Sequence, residues 1–186
     1  VRLVMTRPDH PSGTDRAAEV ALGSDAEIVI NVQGDEPLID PNTIDETLRP
    51  LLDDPTVPMA TAMRRITDLD AIANPNVVKV VCDARGRALY FSRCPIPYVR
   101  DEAERASARV WRQHIGLYAC RRAFRLEYAK LPSTPLENLE KLEQLRVLEN
   151  GHPIAVVQTE YESIGVDTPE DLERVRERIR ERLKGN

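Results

Sequence analysis

The sequence predicts a three-layer α/β fold built on a mixed, mostly parallel sheet. Short apolar runs rich in β-branched residues alternate with segments of helical periodicity, a pattern typical of helices packed on both faces of a sheet. Two of these runs, Val77–Cys82 and Arg87–Ser92, flank Asp83-Ala84-Arg85-Gly86, a turn sequence that favours a hairpin. Because a hairpin is antiparallel, the sheet is expected to be mixed.

The predicted strands are apolar runs separated by turn residues or by helical segments. They lie at Val1–Thr6, Glu27–Val32, Met59–Ile66, Val77–Cys82, Arg87–Ser92, Ile115–Ala119 and Ile154–Thr159. The chain reads as a strand from its first residue and has no initial methionine, so we expect N-terminal sequence to be missing. Residues 1–186 are interpreted as a single domain.

The predicted helices begin at capping residues. Asp40-Pro41 supplies an N-cap and a proline at the first helical position. Thr134-Pro135-Leu136-Glu137 is a capping box, from which one helix is expected to run to Asn150 and to end at Gly151. Thr168-Pro169 opens a last amphipathic helix, whose expected buried stripe is Leu172, Val175, Ile179 and Leu183. The remaining helices are predicted at Thr14–Leu22 and between Ala119 and Leu131.

Composition argues against several functional classes. The chain has 186 residues, of which 41% are hydrophobic and 31% charged, as in an ordinary globular domain. A net charge of −5 argues against a nucleic-acid partner, since such proteins usually carry a basic face. No apolar run approaches the roughly 18 residues that cross a membrane. Cys82, Cys94 and Cys120 lack metal-binding spacing, which favours a reducing compartment.

Two acids follow apolar segments and precede a proline: Asp35 in Gln33-Gly34-Asp35-Glu36-Pro37, and Asp167 in Gly165-Val166-Asp167-Thr168-Pro169. Ligands of open α/β sheets bind beyond the C-terminal ends of strands, where Asp35 is expected. Mg²⁺ takes one or two protein carboxylates and completes its shell with water and substrate phosphates. The two acids therefore form a candidate magnesium clamp, with turn and helix-capping roles as the alternative.

Four further patterns carry polar groups suited to a ligand. The loop His10–Arg16 offers free backbone N–H groups at the start of a helix. Arg93 leaves a strand before a proline-rich loop and can grip a carboxylate through paired hydrogen bonds. His114 and Tyr118 share one face of a strand, and Glu143-Gln144 lies beside a leucine stripe. Each pattern also fits a structural role, as a capped loop, a surface arginine, a strand histidine or a partly exposed helix acid.

Taken in order, these motifs resemble the 3-deoxy-manno-octulosonate cytidylyltransferases. The resemblance rests on HPSGTDR, VNVQGDEPLI, NPNVVKVV, ALYFSR, HIGLY, PLENLEKLEQLRVLENG and GVDTPEDLERVR, and it extends from about Val4 to Arg176. It implies a nucleotide-diphospho-sugar transferase fold and a cytoplasmic, magnesium-dependent homodimer. The family couples CTP to 3-deoxy-D-manno-octulosonate (Kdo), giving CMP-Kdo and pyrophosphate for lipopolysaccharide biosynthesis.

The resemblance also implies roles for individual residues. Asp35 and Asp167 would hold Mg²⁺ against the CTP phosphates, and with Arg93 they are the expected catalytic residues. The residues expected around the cytosine end are Ser12, Gly13 and Arg16. The residues expected around the sugar acid are Gln33, Arg93, His114, Tyr118, Glu143 and Gln144, with Arg93 as a candidate partner for its carboxylate.

The chain departs from the family at its N-terminus. The family opens with a strand and an Arg/Lys-rich phosphate loop of the kind PARxxSxRLPGKPL, and no such segment is present in the sequence. The chain is accordingly expected to be either a fragment of a longer enzyme or a non-catalytic truncated remnant. A cytidylyltransferase for another sugar acid, such as an acylneuraminate, is a further alternative, although YFSR and HIGLY favour the Kdo enzyme.

Overall fold

One sheet organises the chain, and helices cover both of its faces. The computed structural model describes residues 3–10, 13–34, 36–105, 110–161, 165–166 and 168–184. The strands in this part are β1 (Ile28–Val32), β2 (Met59–Arg65), β3 (Lys79–Cys82), β4 (Ala88–Ser92), β5 (Arg112–Arg121) and β6 (Ile154–Gln158). The helices are α1 (Gly13–Leu22), α2 (Pro41–Asp53), α3 (Leu69–Ala73), α4 (Glu102–Arg105), α5 (Arg122–Tyr128), α6 (Pro135–Glu140), α7 (Gln144–Glu149) and α8 (Pro169–Lys184).

The sheet is mixed, as predicted, but most of its strand pairs are antiparallel and not parallel. Its order is β4-β3-β5-β2-β6, with β1 paired to β5. Within the described strands, only β2 and β6 form a parallel ladder. The ladders β1–β5, β2–β5, β3–β5 and β3–β4 are all antiparallel.

The reason for this difference is the position of β5. Strands β1 and β2 are joined through α2 and run in the same direction, which is the arrangement that a helical crossover favours. However, β5 inserts between them and runs the opposite way, pairing with β1 on one edge and β2 on the other. The alternation of elements is consistent with the shared direction of β1, β2 and β6, but it did not indicate the reversed direction of β5 or its place between β1 and β2.

The two faces of β5 bury different cores. Ile115 and Leu117 face a cluster with Ala62, and Ala119 packs with Leu51 beneath α2. Cys120 faces the larger cluster on the opposite side, which α5 and α7 cover. Alternate side chains of a strand point to opposite faces, so one ten-residue strand supports both helical layers.

The hairpin of β3 and β4 closes back onto the far edge of the sheet. Gly86 has φ +74°, a left-handed conformation that glycine adopts without steric cost. The Val156 N–H donates to the Gly86 carbonyl at 2.8 Å, and Arg87 bridges to Ala155. The predicted turn is therefore confirmed, and its tip contacts β6.

Two predicted elements differ in the structure. Leu3–Thr6, the described part of the first predicted strand, forms no strand, and the Leu3 and Met5 side chains are each 85% exposed. These residues have no ladder partner among the described residues, and strand geometry is stable only where N–H and C=O groups are paired. An apolar alternating pattern alone therefore could not establish a strand here.

The helix predicted from Thr134 to Asn150 is broken into α6 and α7. Glu137 accepts a hydrogen bond from the Thr134 N–H at 3.1 Å, so the predicted start is confirmed. Lys141 then adopts φ 54°, a left-handed conformation that ends α6. Leucines at every third position drift around a 3.6-residue helix, so one straight helix cannot bury them all. The break allows both Leu142 and Leu145 to enter the core.

The last helix, α8, begins where the sequence predicted. The Thr168 N–H donates to the Asp171 carboxylate at 3.0 Å, and the Asp171 N–H donates back to the Thr168 hydroxyl at 3.2 Å. Of the predicted buried stripe only Val175 is buried, while Leu183 is 74% exposed. None of the helices in the described part of the chain is long and apolar enough to cross a membrane.

Replacing Lys141 with glycine is expected to stabilise the chain by about 1 kcal/mol, because glycine relieves the left-handed strain. The free energy of unfolding, measured by urea denaturation, tests this. Leu139→Gly, at an exposed position inside α6, is the matched control and should lose about 1 kcal/mol. A loss of similar size for Lys141→Gly would indicate one continuous helix and contradict the break.

Candidate active site

A cavity of about 920 Å³ opens where the ends of several strands meet the start of α8. Gln33, which follows β1, lines it together with Arg93, which follows β4, and His114 in β5. The other lining residues are Glu36, Asn74, Asn76, Val77, Val78, Gln113, Gly116, Gly165, Thr168 and Asp171. Three residues predicted around the sugar acid, far apart in sequence, thus share one cavity.

The predicted metal ligands Asp35 and Asp167 lie outside the described residues, as does Ser12. Glu36 and Thr168, each adjacent to one of the two acids in the sequence, line the cavity. Within the described ranges no group of three or more histidine, cysteine, aspartate or glutamate side chains could hold a metal ion.

His114 is a buried, neutral hydrogen-bonding group in the cavity wall. Its Nε2 lies 2.9 Å from the Thr61 hydroxyl, which also lies 2.8 Å from the Leu117 carbonyl. Because a carbonyl can only accept, the Thr61 proton goes to Leu117, and Thr61 accepts the Nε2–H of His114. The Nδ1 atom is then left as an acceptor. Burial lowers the pKa of His114 to about 3, so the ring is uncharged at neutral pH.

Arg93 is fixed by three backbone carbonyls. Its Nε donates to the Glu140 carbonyl at 2.7 Å, its Nη1 to Pro75 at 2.9 Å, and its Nη2 to Lys141 at 3.3 Å. The left-handed conformation at Lys141 thus belongs to a segment that supports Arg93. The sequence predicted Arg93 as a carboxylate partner, and part of its donor set is already committed to the backbone.

A buried lysine that was not predicted ties this wall together. The Lys79 ammonium donates to the carbonyls of Asn74 at 2.9 Å, Val77 at 2.5 Å and Arg93 at 2.5 Å. Burial lowers the pKa of Lys79, and these carbonyls offset the loss of hydration. The Glu140 carboxylate accepts hydrogen bonds from the Ser92 hydroxyl at 2.6 Å and from the Arg93 backbone N–H at 2.9 Å. A lysine in the otherwise apolar run of β3 was the signal that could have revealed this group.

Tyr118, Glu143 and Gln144 do not line the cavity. The Tyr118 ring is 5.4 Å from the His114 ring, and burial raises the pKa of Tyr118. Tyr128 donates its hydroxyl proton to the Glu143 carbonyl at 2.6 Å, which positions the start of α7. The structure therefore places Tyr118 beside His114, whereas Glu143 and Gln144 lie at the start of α7.

The residues predicted around the cytosine end are only partly described. Gly13 begins α1, and Arg16 lies one turn later. The Arg16 guanidinium donates to the Thr6 hydroxyl and to the Arg7 carbonyl, the latter at 3.1 Å. Neither Gly13 nor Arg16 lines the cavity formed by the described residues.

Comparison with known proteins decides the family. A family model described as cytidylyltransferase matches residues 1–164. The 3-deoxy-manno-octulosonate cytidylyltransferase of Solibacter usitatus is 59% identical over 174 residues, covering 94% of this chain and 68% of its own length. The Geobacter sulfurreducens protein of the same name is 55% identical, and the match covers 96% of this chain and 74% of that protein. The chain belongs to the 3-deoxy-manno-octulosonate cytidylyltransferase family.

Solved structures confirm the predicted fold class. A CMP:2-keto-3-deoxy-manno-octonic acid synthetase complexed with CTP superposes with a TM-score of 0.89 at 43% identity, covering 96% of this chain and 72% of that structure. HddC from Yersinia pseudotuberculosis superposes with a TM-score of 0.61 at 13% identity, covering 93% of this chain and 64% of the HddC chain. At this identity the likeness shows a shared fold alone. In this chain too, helices pack on both faces of a mixed sheet.

The burial of His114 predicts an acid-sensitive fold. Since its pKa is about 3 when folded and about 6.5 when unfolded, the unfolded chain binds the extra proton between these values. The free energy of unfolding is therefore not reduced by His114 above about pH 6.5, and it falls as the pH drops from there towards 3. We expect a loss of about 2 kcal/mol between pH 8 and pH 5.

Urea unfolding at both pH values measures this loss, and His114→Gln should remove most of it. His152→Gln, at a histidine that does not line the cavity, is the matched control and should keep the pH dependence of the parent chain. A His114→Gln variant with an unchanged pH dependence would contradict a buried neutral imidazole.

Proposed function

We propose that this chain transfers the cytidylyl group of CTP to Kdo, releasing pyrophosphate and forming CMP-Kdo for lipopolysaccharide biosynthesis. The identity of 59% to a named 3-deoxy-manno-octulosonate cytidylyltransferase carries this proposal. The convergence of Gln33, Arg93 and His114 on one cavity supports it. The chain is proposed to act as a single cytidylyltransferase domain.

The reaction requires positioning more than covalent catalysis. A hydroxyl of the sugar acid attacks the α-phosphorus of CTP, the bond from that phosphorus to the bridging oxygen breaks, and pyrophosphate leaves. The attacking and leaving oxygens must lie roughly in line, so most of the acceleration comes from orientation and neutralised charge. The rigid wall held by Lys79 suits this task, because its ammonium fixes the carbonyls of three lining or adjacent residues.

His114 is proposed to orient the sugar acid as a neutral acceptor. Its Nε2–H is committed to Thr61, so Nδ1 can accept a hydrogen bond from a sugar hydroxyl. Gln33 is proposed to bind the same substrate through its amide, and Arg93 through the donors that remain after its carbonyl contacts. Tyr118, Glu143 and Gln144 are proposed to complete the sugar-acid site.

Asp35 and Asp167 are proposed to hold Mg²⁺. Carboxylates are the hard oxygen ligands that Mg²⁺ prefers. Glu36 and Thr168, which adjoin the two aspartates in the sequence, line the cavity. When bound, the ion would neutralise charge on the CTP phosphates. Ser12, Gly13 and Arg16 are proposed to contact the cytosine end.

The active form is proposed to be a cytoplasmic homodimer. Large apolar side chains on the surface, including Leu139 at 80% exposure and Leu183 at 74%, offer area for a subunit contact. Cys82, Cys94 and Cys120 are all free thiols, which suits a reducing compartment.

Pyrophosphate release from CTP, Kdo and Mg²⁺ tests the proposal. We expect release that requires all three components and that falls when an acylneuraminate replaces Kdo. Asp35→Asn should lower turnover by about a hundredfold or more while the circular dichroism spectrum stays unchanged, because one preorganised charge contact is lost.

Asp45→Asn, at an exposed carboxylate on α2, is the matched control and should keep full turnover. Absence of pyrophosphate release from the parent chain, or full turnover by Asp35→Asn, would contradict the proposed reaction or the proposed metal ligand, respectively.

A further inference from the structure

Lys79 is a fully buried lysine that lies outside the cavity it supports. It is 0% exposed in β3 and does not line the cavity. Moving an ammonium out of water is costly, and an apolar side chain of similar length would avoid that cost. The three donors of the ammonium are all used on backbone carbonyls, those of Asn74, Val77 and Arg93. Lys79 therefore determines where these carbonyls lie.

Each of the three carbonyls belongs to a residue that lines the cavity. Asn74 and Val77 lie in the loop between α3 and β3, and Arg93 follows β4. Strands β3 and β4 pair antiparallel, with Lys79 opposite Ser92, so this loop and the segment after β4 leave the hairpin at the same end. Because the Lys79 ammonium bonds both segments, it fixes the distance between them.

The loop that Lys79 holds is also bonded to two polar residues of the cavity wall. Its Pro75 carbonyl accepts a hydrogen bond from Nη1 of Arg93 at 2.9 Å. Its Val78 carbonyl accepts a hydrogen bond from the backbone N–H of His114 at 2.8 Å. A shift of this loop would therefore change the position of Arg93 relative to His114.

The bonds inside this loop shape a turn but do not tie it to the sheet. The Asn74 side-chain oxygen accepts a hydrogen bond from the Asn76 N–H at 2.9 Å, and the Asn74 carbonyl accepts one from the Val77 N–H at 3.2 Å. Asparagine commonly forms such local turns. The Lys79 ammonium adds bonds from the sheet to the turn, and hydrogen bonds from a charged donor are roughly twice as strong as neutral ones.

We propose that Lys79 is a positioning residue for the acceptor substrate, and that it sets the affinity of the cavity for the sugar acid without touching it. This inference rests on the proposed function. Lys79 acts through the lining residues whose carbonyls it holds. Gly13 and Arg16, proposed for the cytosine end, do not line this cavity. Loss of the ammonium should therefore weaken the binding of Kdo and change that of CTP little.

Lys79→Met tests the assignment, because methionine fills similar space without hydrogen-bond donors. The dissociation constants for Kdo and for CTP are measured by calorimetry, and the midpoint of urea unfolding is measured without ligand. We expect Kdo affinity to fall at least about tenfold with CTP affinity changed less than about twofold. Lys79→Gln keeps two N–H donors on a neutral group and should recover part of the Kdo affinity.

If Lys79→Met does not fold, Lys79→Gln decides the question by the same comparison. Its Kdo affinity should then fall at least about threefold more than its CTP affinity. A Lys79→Gln protein that also fails to fold would make Lys79 a requirement of the fold and overturn the assignment.

Val80→Ala is the matched control, because Val80 is the next residue of β3, is 1% exposed and packs in the core on the opposite face. It should lower the unfolding midpoint and leave Kdo affinity unchanged. Unchanged Kdo affinity in Lys79→Met, equal losses for Kdo and CTP, or an equal Kdo loss in Val80→Ala would each overturn the assignment while the proposed function stands. A parent chain without Kdo affinity would overturn the proposed function, and the Lys79 assignment with it.

Discussion

The antiparallel strand β5 is the constraint on which the rest of the structure depends. It pairs with β1 and β3 along one edge and with β2 along the other, so it fixes the register of most of the sheet. Its alternating side chains send Ile115 and Leu117 into one core and Cys120 into the other. The same alternation places His114 at the cavity and Tyr118 beside it, so the register of one strand determines both the packing and the candidate site.

A buried lysine, Lys79, holds together the backbone segments that form the cavity wall. Lys79 lies in β3, which pairs with β5, and its ammonium donates hydrogen bonds to the carbonyls of the lining residues Asn74 and Arg93. Arg93 in turn bonds the carbonyls of Glu140 and Lys141, where the helix is broken. The left-handed strain at Lys141 is thus tied to the support of Arg93. Strain of this kind persists where the surrounding contacts over-determine it, which is typical of functional sites.

The sequence predicted those parts of the fold that depend on local chemistry. The starts of α2, α6 and α8 follow from Asp40, Thr134 and Thr168, whose capping hydrogen bonds are local. It did not predict that β5 inserts between β1 and β2, because the choice of strand neighbours depends on contacts distant in the chain. Motif order indicated Gln33, Arg93 and His114, but not Lys79. Lys79 matters because its ammonium is buried among backbone carbonyls, and the burial of a side chain depends on contacts that are distant in the chain.

The central claim is that the sugar acid binds at the cavity wall formed by His114. Proton NMR tests it directly, since the chain has only three histidines and each imidazole can be assigned with a glutamine variant. On addition of Kdo with CTP and Mg²⁺, the His114 ring resonance should shift while that of His152 stays fixed. Substrate binding that leaves His114 unchanged, or that shifts His152 instead, would contradict the account.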